Sequence, residues 1–175
     1  IIQDEALDVI LAIIKLNDIR NILEIGTAIG YSAINMASVN KNIKVTTLER
    51  DPKMVCIAKE NIKKYGLDKQ IEVIEIDALE YHTNKEYDLI FIDGAKAQYI
   101  KFFEKYKNNL KKNGFIISDN LFFHNYIFKE KIESKNIRQL VSKIKVYNEY
   151  LKESNEFITH FLSVGDGIAI SKKIK

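Results

Sequence analysis

Apolar and polar positions along this chain switch between two spacings, and the switches divide it into elements. Leu7, Ile10, Leu11 and Ile14 recur at helical spacing behind Asp4, which predicts an amphipathic helix capped by that aspartate. Residues 21–26 (NILEIG) form a short β-rich run closed by glycine, 31–39 read as a helix, and 43–49 (IKVTTLE) as a strand. Asp51 and Pro52 supply an N-cap and a first-turn proline for a helix with Val55, Ala58, Ile62 and Tyr65 as its buried stripe, and Gly66 stops it. Residues 71–76 (IEVIEI) and 87–93 (YDLIFID) are strands, the latter apolar enough for the middle of a sheet. Ile100, Phe103 and Leu110 mark a helix ending before Gly114, and 114–119 (GFIISD) is the fifth strand. Residues 120–134 are aromatic and charged without a period and read as an active-site loop. Ile137, Leu140, Val141, Ile144, Tyr147 and Leu151 trace the most regular helix. FITHFLSV, a Gly165-Asp166-Gly167 turn and IAISKK close the chain as a hairpin.

Strands alternating with helices at about 20 to 25 residues per unit imply an α/β fold: a mostly parallel sheet with helices on both faces and an antiparallel hairpin at one edge. At 175 residues, without repeats, low-complexity segments or linkers, one domain over 1–175 is expected. No apolar run approaches the roughly 20 residues of a membrane-spanning helix, and no basic-then-apolar segment resembling a signal peptide opens the chain. A lone Cys56 excludes an internal disulfide framework, fits a reducing, cytoplasmic setting, and reads as a small hydrophobe at a helix contact. The chain opens on Ile1, not methionine, from which a longer N-terminus is expected.

The net charge of +3 conceals an asymmetry. Residues 1–95 carry 11 Lys/Arg against 16 Asp/Glu, whereas residues 96–146 carry 12 against 4. A basic block is either an electrostatic footprint for a polyanion or a lysine-rich solvated face.

Ligands of open α/β sheets bind at the carboxyl ends of strands, and those ends hold Glu24 and Gly26, Glu49, Asp77, Asp93, and Asp119 with Asn120. The first turn, EIGTAIG, has Ala28 between its glycines, so it is not the dinucleotide pattern, and no pyrophosphate cradle is implied. Gly26 still admits a ligand close to the backbone, and Glu49 stands where an acidic side chain grips ribose hydroxyls. A phosphate-free sulfonium suits such an acidic pocket better than NAD does. Asp93, Asp119 and Asn120 are hard oxygen donors suited to an octahedral Mg²⁺. Lys96, three residues past Asp93, starts the next helix with Tyr99 a turn further on the same face. Positive neighbours favour a neutral amine, which makes Lys96 a candidate general base. His124 follows the metal pair closely enough to face a substrate, while His82 and His160 look incidental.

NILEIGTAIGYSA, LERD, DALEY, FIDGAKAQY, ISDN and VGDGIAISKK, in that order, resemble the class I S-adenosylmethionine-dependent, metal-dependent O-methyltransferases of the catechol and caffeoyl-CoA type, from about residue 5 onward. Within that group LVSKIKVYNEYL and VGDGIAISKK are most similar to the bacterial tRNA 5-hydroxyuridine methyltransferases. The resemblance implies a Rossmann-like, seven-stranded class I fold, usually as a homodimer. It implies Asp93, Asp119 and Asn120 as ligands of Mg²⁺ or another divalent cation, with Lys96 as the base. Glu49 would lie at the ribose, Asp77 and Ala78 at the adenine, and Gly26 with the turn around it against the methionine portion, with Glu24, Thr27, Tyr31, Ser32, Arg50 and Asp93 completing the expected cofactor-binding set. The implied acceptor is a hydroxyl with an oxygen on the adjacent carbon, met both by catechols and by 5-hydroxyuracil, whose 5-hydroxyl neighbours the C4 carbonyl. A wobble base in a tRNA anticodon loop is single-stranded and available to such a pocket. The chain departs from the resemblance in two places. Arg138 stands alone among ESKNIRQL, with Lys129, Lys131 and Lys135 to serve instead, and N-terminal helices common in the group are missing. Three readings follow: a tRNA hydroxyuridine O-methyltransferase, a small-molecule catechol-type enzyme, and a non-catalytic S-adenosylmethionine-binding module.

Overall fold

The computed structural model describes residues 2–175; Ile1, on which the expectation of a longer N-terminus rests, lies outside the described residues. In chain order the elements are α1 (Asp4–Leu16), β1 (Asn21–Ile25), α2 (Tyr31–Ser38), β2 (Lys44–Glu49), α3 (Pro52–Lys64), β3 (Ile71–Glu75), β4 (Tyr87–Ile92), α4 (Tyr99–Tyr106), β5 (Leu110–Ser118), α5 (Lys135–Glu153), β6 (Phe157–Leu162) and β7 (Ile168–Lys173). Single 3-10 turns occupy Lys96–Gln98, Lys107–Asn109 and Tyr126–Phe128. Seven strands form one sheet in the order β3-β2-β1-β4-β5-β7-β6. The first five pair in parallel, and β7 runs antiparallel between β5 and the edge strand β6. The order reverses between β1 and β4, which opens a crevice at their carboxyl ends.

Period-two alternation sorts the strand residues onto two faces. Ile22, Leu89, Phe91 and Ile117 pack with Leu7, Ile10, Ala33 and Met36 of α1 and α2. Leu23, Ile25, Ile90, Ile92 and Ile116 face Phe102, Phe103 and Tyr106 of α4 and Tyr147 and Leu151 of α5. Edge-to-face rings knit this second layer, with Phe103 on Phe157 at 4.8 Å and Tyr99 on Tyr147 at 5.3 Å.

Local signals place α3 as expected, with the Asp51 side chain accepting the Lys53 N–H at 2.9 Å and Pro52 in the first turn. Elsewhere tertiary contacts override them. Gln3 stands at the N-cap of α1 without a side-chain capping bond, and Asp4, inside the first turn, accepts the Tyr31 hydroxyl on Oδ1 at 2.7 Å. The helix expected to run on through Leu110 ends at Tyr106. Lys107 is tied to Glu104 at 3.1 Å and Glu156 at 3.0 Å, and the chain turns into β5, where Leu110 pairs with Tyr87. Leu110 shares a core with Phe103, which is why its spacing looked helical. Cys56 is exposed beside the buried Val55, not packed at a helix contact. Among the described residues no helix is long and apolar enough to cross a membrane.

Candidate functional site

A cavity of about 520 Å³ lies over the carboxyl ends of β1, β2, β3 and β4 and brings together Gly26, Glu49, Arg50, Asp77, Ala78, Asp93, Lys96 and Asn120. Backbone bonds that continue the strand ladders fix the ends of β1, β4 and β5. The Gly26 N–H donates to Leu48 O at 3.0 Å, Asp93 N–H to Ile25 O at 2.9 Å and Asp119 N–H to Ile92 O at 3.1 Å. Gly26 has φ +101°, and a Cβ there would collide with the carbonyl oxygen of Asp93, so this turn requires glycine.

The Glu49 carboxylate is held by three backbone donors at 3.0 Å: Ala28 N–H on Oε2, and Arg50 and Asp51 N–H on Oε1. Across the cavity Asp77 accepts the Leu79 N–H at 2.8 Å and faces Arg50 at 3.9 Å. These two carboxylates are immobilised before any ligand arrives.

Asp93, half-buried, and Asp119, buried, form an acidic pair. Burial first, and the charge of Asp119 second, push Asp93 up to about 7; burial likewise raises Asp119. Asn120, at φ +62°, bridges them, its Nδ2 donating to Asp93 Oδ1 at 2.9 Å and Asp119 Oδ2 at 3.1 Å. Two carboxylates therefore converge on one donor group beside an amide oxygen, and this donor set fits a hard divalent cation. Among the described residues no group of three His, Cys, Asp or Glu side chains gathers in this way, so the donor set here is two carboxylates and one amide. Lys96 opens its 3-10 turn with Nζ 5.7 Å from the centre of the Phe123 ring. Tyr99 lines the neighbouring cavity together with Lys96; it is buried, and its hydroxyl donates to Asp119 O at 2.8 Å, anchoring that backbone from below.

Five of the site residues expected from sequence do not line the cavity. Glu24 sits inside β1, and strand alternation turns it toward α2, where it accepts the Ser32 hydroxyl and the Thr47 hydroxyl, the latter at 2.5 Å. Burial holds its pKa up at about 8. Thr27 bonds Thr47 at 2.6 Å, so Glu24, Ser32 and Thr27 form a buried polar layer beneath the glycine turn. Tyr31 is drawn aside by Asp4. Asp119 is 2% exposed and stands behind Asn120.

Sequence reading missed Asp166. This turn residue is buried, and its Oδ1 accepts the His124 N–H at 2.6 Å while its backbone oxygen accepts the Phe122 N–H at 2.7 Å. These bonds hold Phe123, His124 and Asn125, three successive non-glycine residues with positive φ. The glycines flanking Asp166 were its only signal.

The sequence profile of the O-methyltransferase family matches residues 2–174. The chain belongs to the O-methyltransferase family. Its structure superposes on a Staphylococcus aureus protein assigned as a caffeoyl-CoA O-methyltransferase with a TM-score of 0.95 and 45% identity, covering 99% of this chain and 85% of that one. It also matches the Bacillus cereus O-methyltransferase solved in complex with SAH, with a TM-score of 0.86 and 25% identity over 99% of this chain and 82% of that one. In sequence it is 37% identical over 109 residues to the catechol O-methyltransferase of Niastella koreensis, spanning 58% of this chain and 49% of that protein. Family membership sets aside the reading as a mere binding module: this O-methyltransferase is an enzyme.

Proposed function

We propose that this O-methyltransferase carries a methyl group from S-adenosylmethionine to the 5-hydroxyl of 5-hydroxyuridine at the wobble position of tRNA. The observation carrying the acceptor assignment is the ground beside the site. Lys129, Arg138 and Lys145 line one cavity with Glu130 as the only carboxylate, and Lys96, Lys101 and Lys143 line the cavity between it and the catalytic crevice with none. Phosphate neutralisation by such cations supplies most sequence-independent nucleic-acid affinity.

Glu49, with its oxygens already held by three N–H groups, receives the ribose hydroxyls, and Asp77 and Ala78 border the adenine. Gly26 lets the methionine portion approach the backbone. Asp93, Asp119 and Asn120 hold the divalent cation, which when bound supplies orientation and acidification of a hydroxyl with an adjacent oxygen. Lys96 takes the hydroxyl proton at Nζ from the open side of the cavity. The protein's part is placement and one proton transfer, since displacement at a sulfonium methyl is driven by the leaving group.

The catechol and caffeoyl-CoA names of relatives favour a second reading, a small vicinal-dioxygen acceptor on the same site. Nucleoside mass spectrometry of hydroxyuridine-bearing tRNA incubated with enzyme, S-adenosylmethionine and Mg²⁺, beside an EDTA control, decides between them. Gain of 5-methoxyuridine that weakens steeply with salt supports the tRNA reading. No gain, with a catechol methylated, overturns it.

A further inference from the structure

Behind the catalytic crevice the 3-10 turn Lys96–Gln98 has a second side. Lys96, Ala97 and Gln98 form a wall of the crevice and also of a separate cavity of about 390 Å³ between this turn and α5. We propose that this second cavity is a subsite for the nucleotide adjoining the methylated one, an inference that rests on the tRNA reading.

Three features support that occupant. The first is an apolar surface, with Ile100 on one side and Val146 on the other. Val146 is 56% exposed, whereas Val141, Ile144, Tyr147 and Leu151 of the same helix are buried. A base flat against such a surface removes apolar area from water, as in single-strand recognition generally.

The second is charge: Lys96, Lys101 and Lys143 line the cavity and no carboxylate does. Lys101 and Lys143 line this cavity and not the crevice, so a phosphate reaching the subsite meets their amines and leaves Lys96 to take the hydroxyl proton. Ser142 and Val146 continue into the next cavity with Lys129, Arg138 and Lys145, which carries the backbone onward.

The third is an orphaned acceptor. Gln98 Oε1 is buried without a hydrogen-bond partner. Buried polar atoms ordinarily find one; Gln98 lines both cavities, so a turn of its side chain would present this oxygen to the second cavity, where the exocyclic amine of a base is a donor of that kind. An acidic protein segment would satisfy the lysines but leaves the apolar surface and this acceptor unexplained.

The test uses an RNA anticodon stem-loop carrying 5-hydroxyuridine, with intact neighbours or with an abasic residue on the 5′ or 3′ side. The enzyme is wild type, Val146→Trp, which fills the cavity from an exposed position, or Lys143→Glu. Removing one neighbouring base is expected to raise KM about ten-fold for wild type. Val146→Trp is expected to raise it as much on intact RNA and to show no further response to the abasic site, with S-adenosylmethionine affinity unchanged by calorimetry. Lys143→Glu is expected to flatten the salt dependence. If both variants keep wild-type KM and both abasic RNAs are methylated like intact RNA, the subsite is wrong while the tRNA reading stands. If wild type leaves every RNA unmethylated yet methylates a catechol, the tRNA reading fails, and the subsite with it.

Discussion

The carboxylate of Asp166, in the turn between β6 and β7, accepts the backbone N–H of His124 at 2.6 Å, a contact across 42 residues of chain. It ties the closing hairpin to the loop that begins at the candidate metal pair. The three positive-φ residues 123–125 each carry a conformational cost of about 1 kcal/mol or more. The loop keeps that shape because Asp166 and the Gly167 carbonyl take its N–H groups.

Replacing Asp166 with alanine leaves the His124 N–H without its acceptor and is expected to cost ~1–3 kcal/mol of stability. The KM for the methyl acceptor is expected to rise and S-adenosylmethionine affinity to stay within two-fold. Asp166→Asn retains an acceptor oxygen and is expected to restore most of both. Urea melts and acceptor titrations read the two effects, and an unaltered acceptor KM in Asp166→Ala would remove its positioning role.

Gly26→Ala tests the cofactor turn. The added Cβ meets the Asp93 carbonyl at a φ only glycine adopts readily, so a loss of ~2–4 kcal/mol is expected. Cofactor affinity is expected to fall by more than ten-fold, because the backbone must shift where the cavity is lined. Thermal denaturation with and without S-adenosylmethionine measures both.

Glu24 predicts a pH dependence of stability. Burial raises its folded pKa to about 8, above the ordinary carboxyl value of 4.5. Below pH 4.5 both states hold the proton and nothing changes. Between 4.5 and 8 the unfolded chain releases it while the folded chain keeps it, so stability falls as pH rises, by up to about 1.4 kcal/mol per unit. Above 8 the curve flattens. Glu24→Gln does not titrate, and the Ser32 and Thr47 hydroxyls can turn to suit an amide. Its stability relative to wild type is therefore expected to climb from pH 5 to 8 in denaturant titrations. Parallel pH profiles of the two proteins would count against a neutral buried Glu24.

Asp119→Ala and Asp93→Asn each remove a proposed cation ligand, and a loss in kcat of at least ~10²-fold is expected. Mg²⁺ at a hundred times its dissociation constant is expected to stabilise the wild type by about 2.7 kcal/mol and neither variant. EDTA is expected to bring wild type down to the variants' rate. If Asp119→Ala keeps metal-dependent activity, the ligand assignment is wrong.

Local chemistry suffices where one short segment decides the outcome. The Asp51-Pro52 start of α3 and the Gly-Asp-Gly hairpin turn are dictated by backbone preferences of a few adjacent residues. The apolar run of β4 and the alternation of strands and helices require a covered parallel sheet, and with it a crevice at the strand ends. Glu49, Asp77, Asp93 and Asn120 were legible for that reason, since a residue that follows a parallel strand must emerge at its carboxyl end.

Only the assembled fold decided the rest, because each outcome depends on a partner far along the chain. Glu24 belongs to a buried polar layer because β2 brings Thr47 beside it and α2 brings Ser32 over it. Leu110 is a strand residue because Tyr87 pairs with it. Asp4 gives up its expected cap to bind Tyr31. Asp166 shapes the loop because the hairpin folds back onto β5. Periodicity records which side of an element is apolar; which polar group it meets is settled by long-range packing.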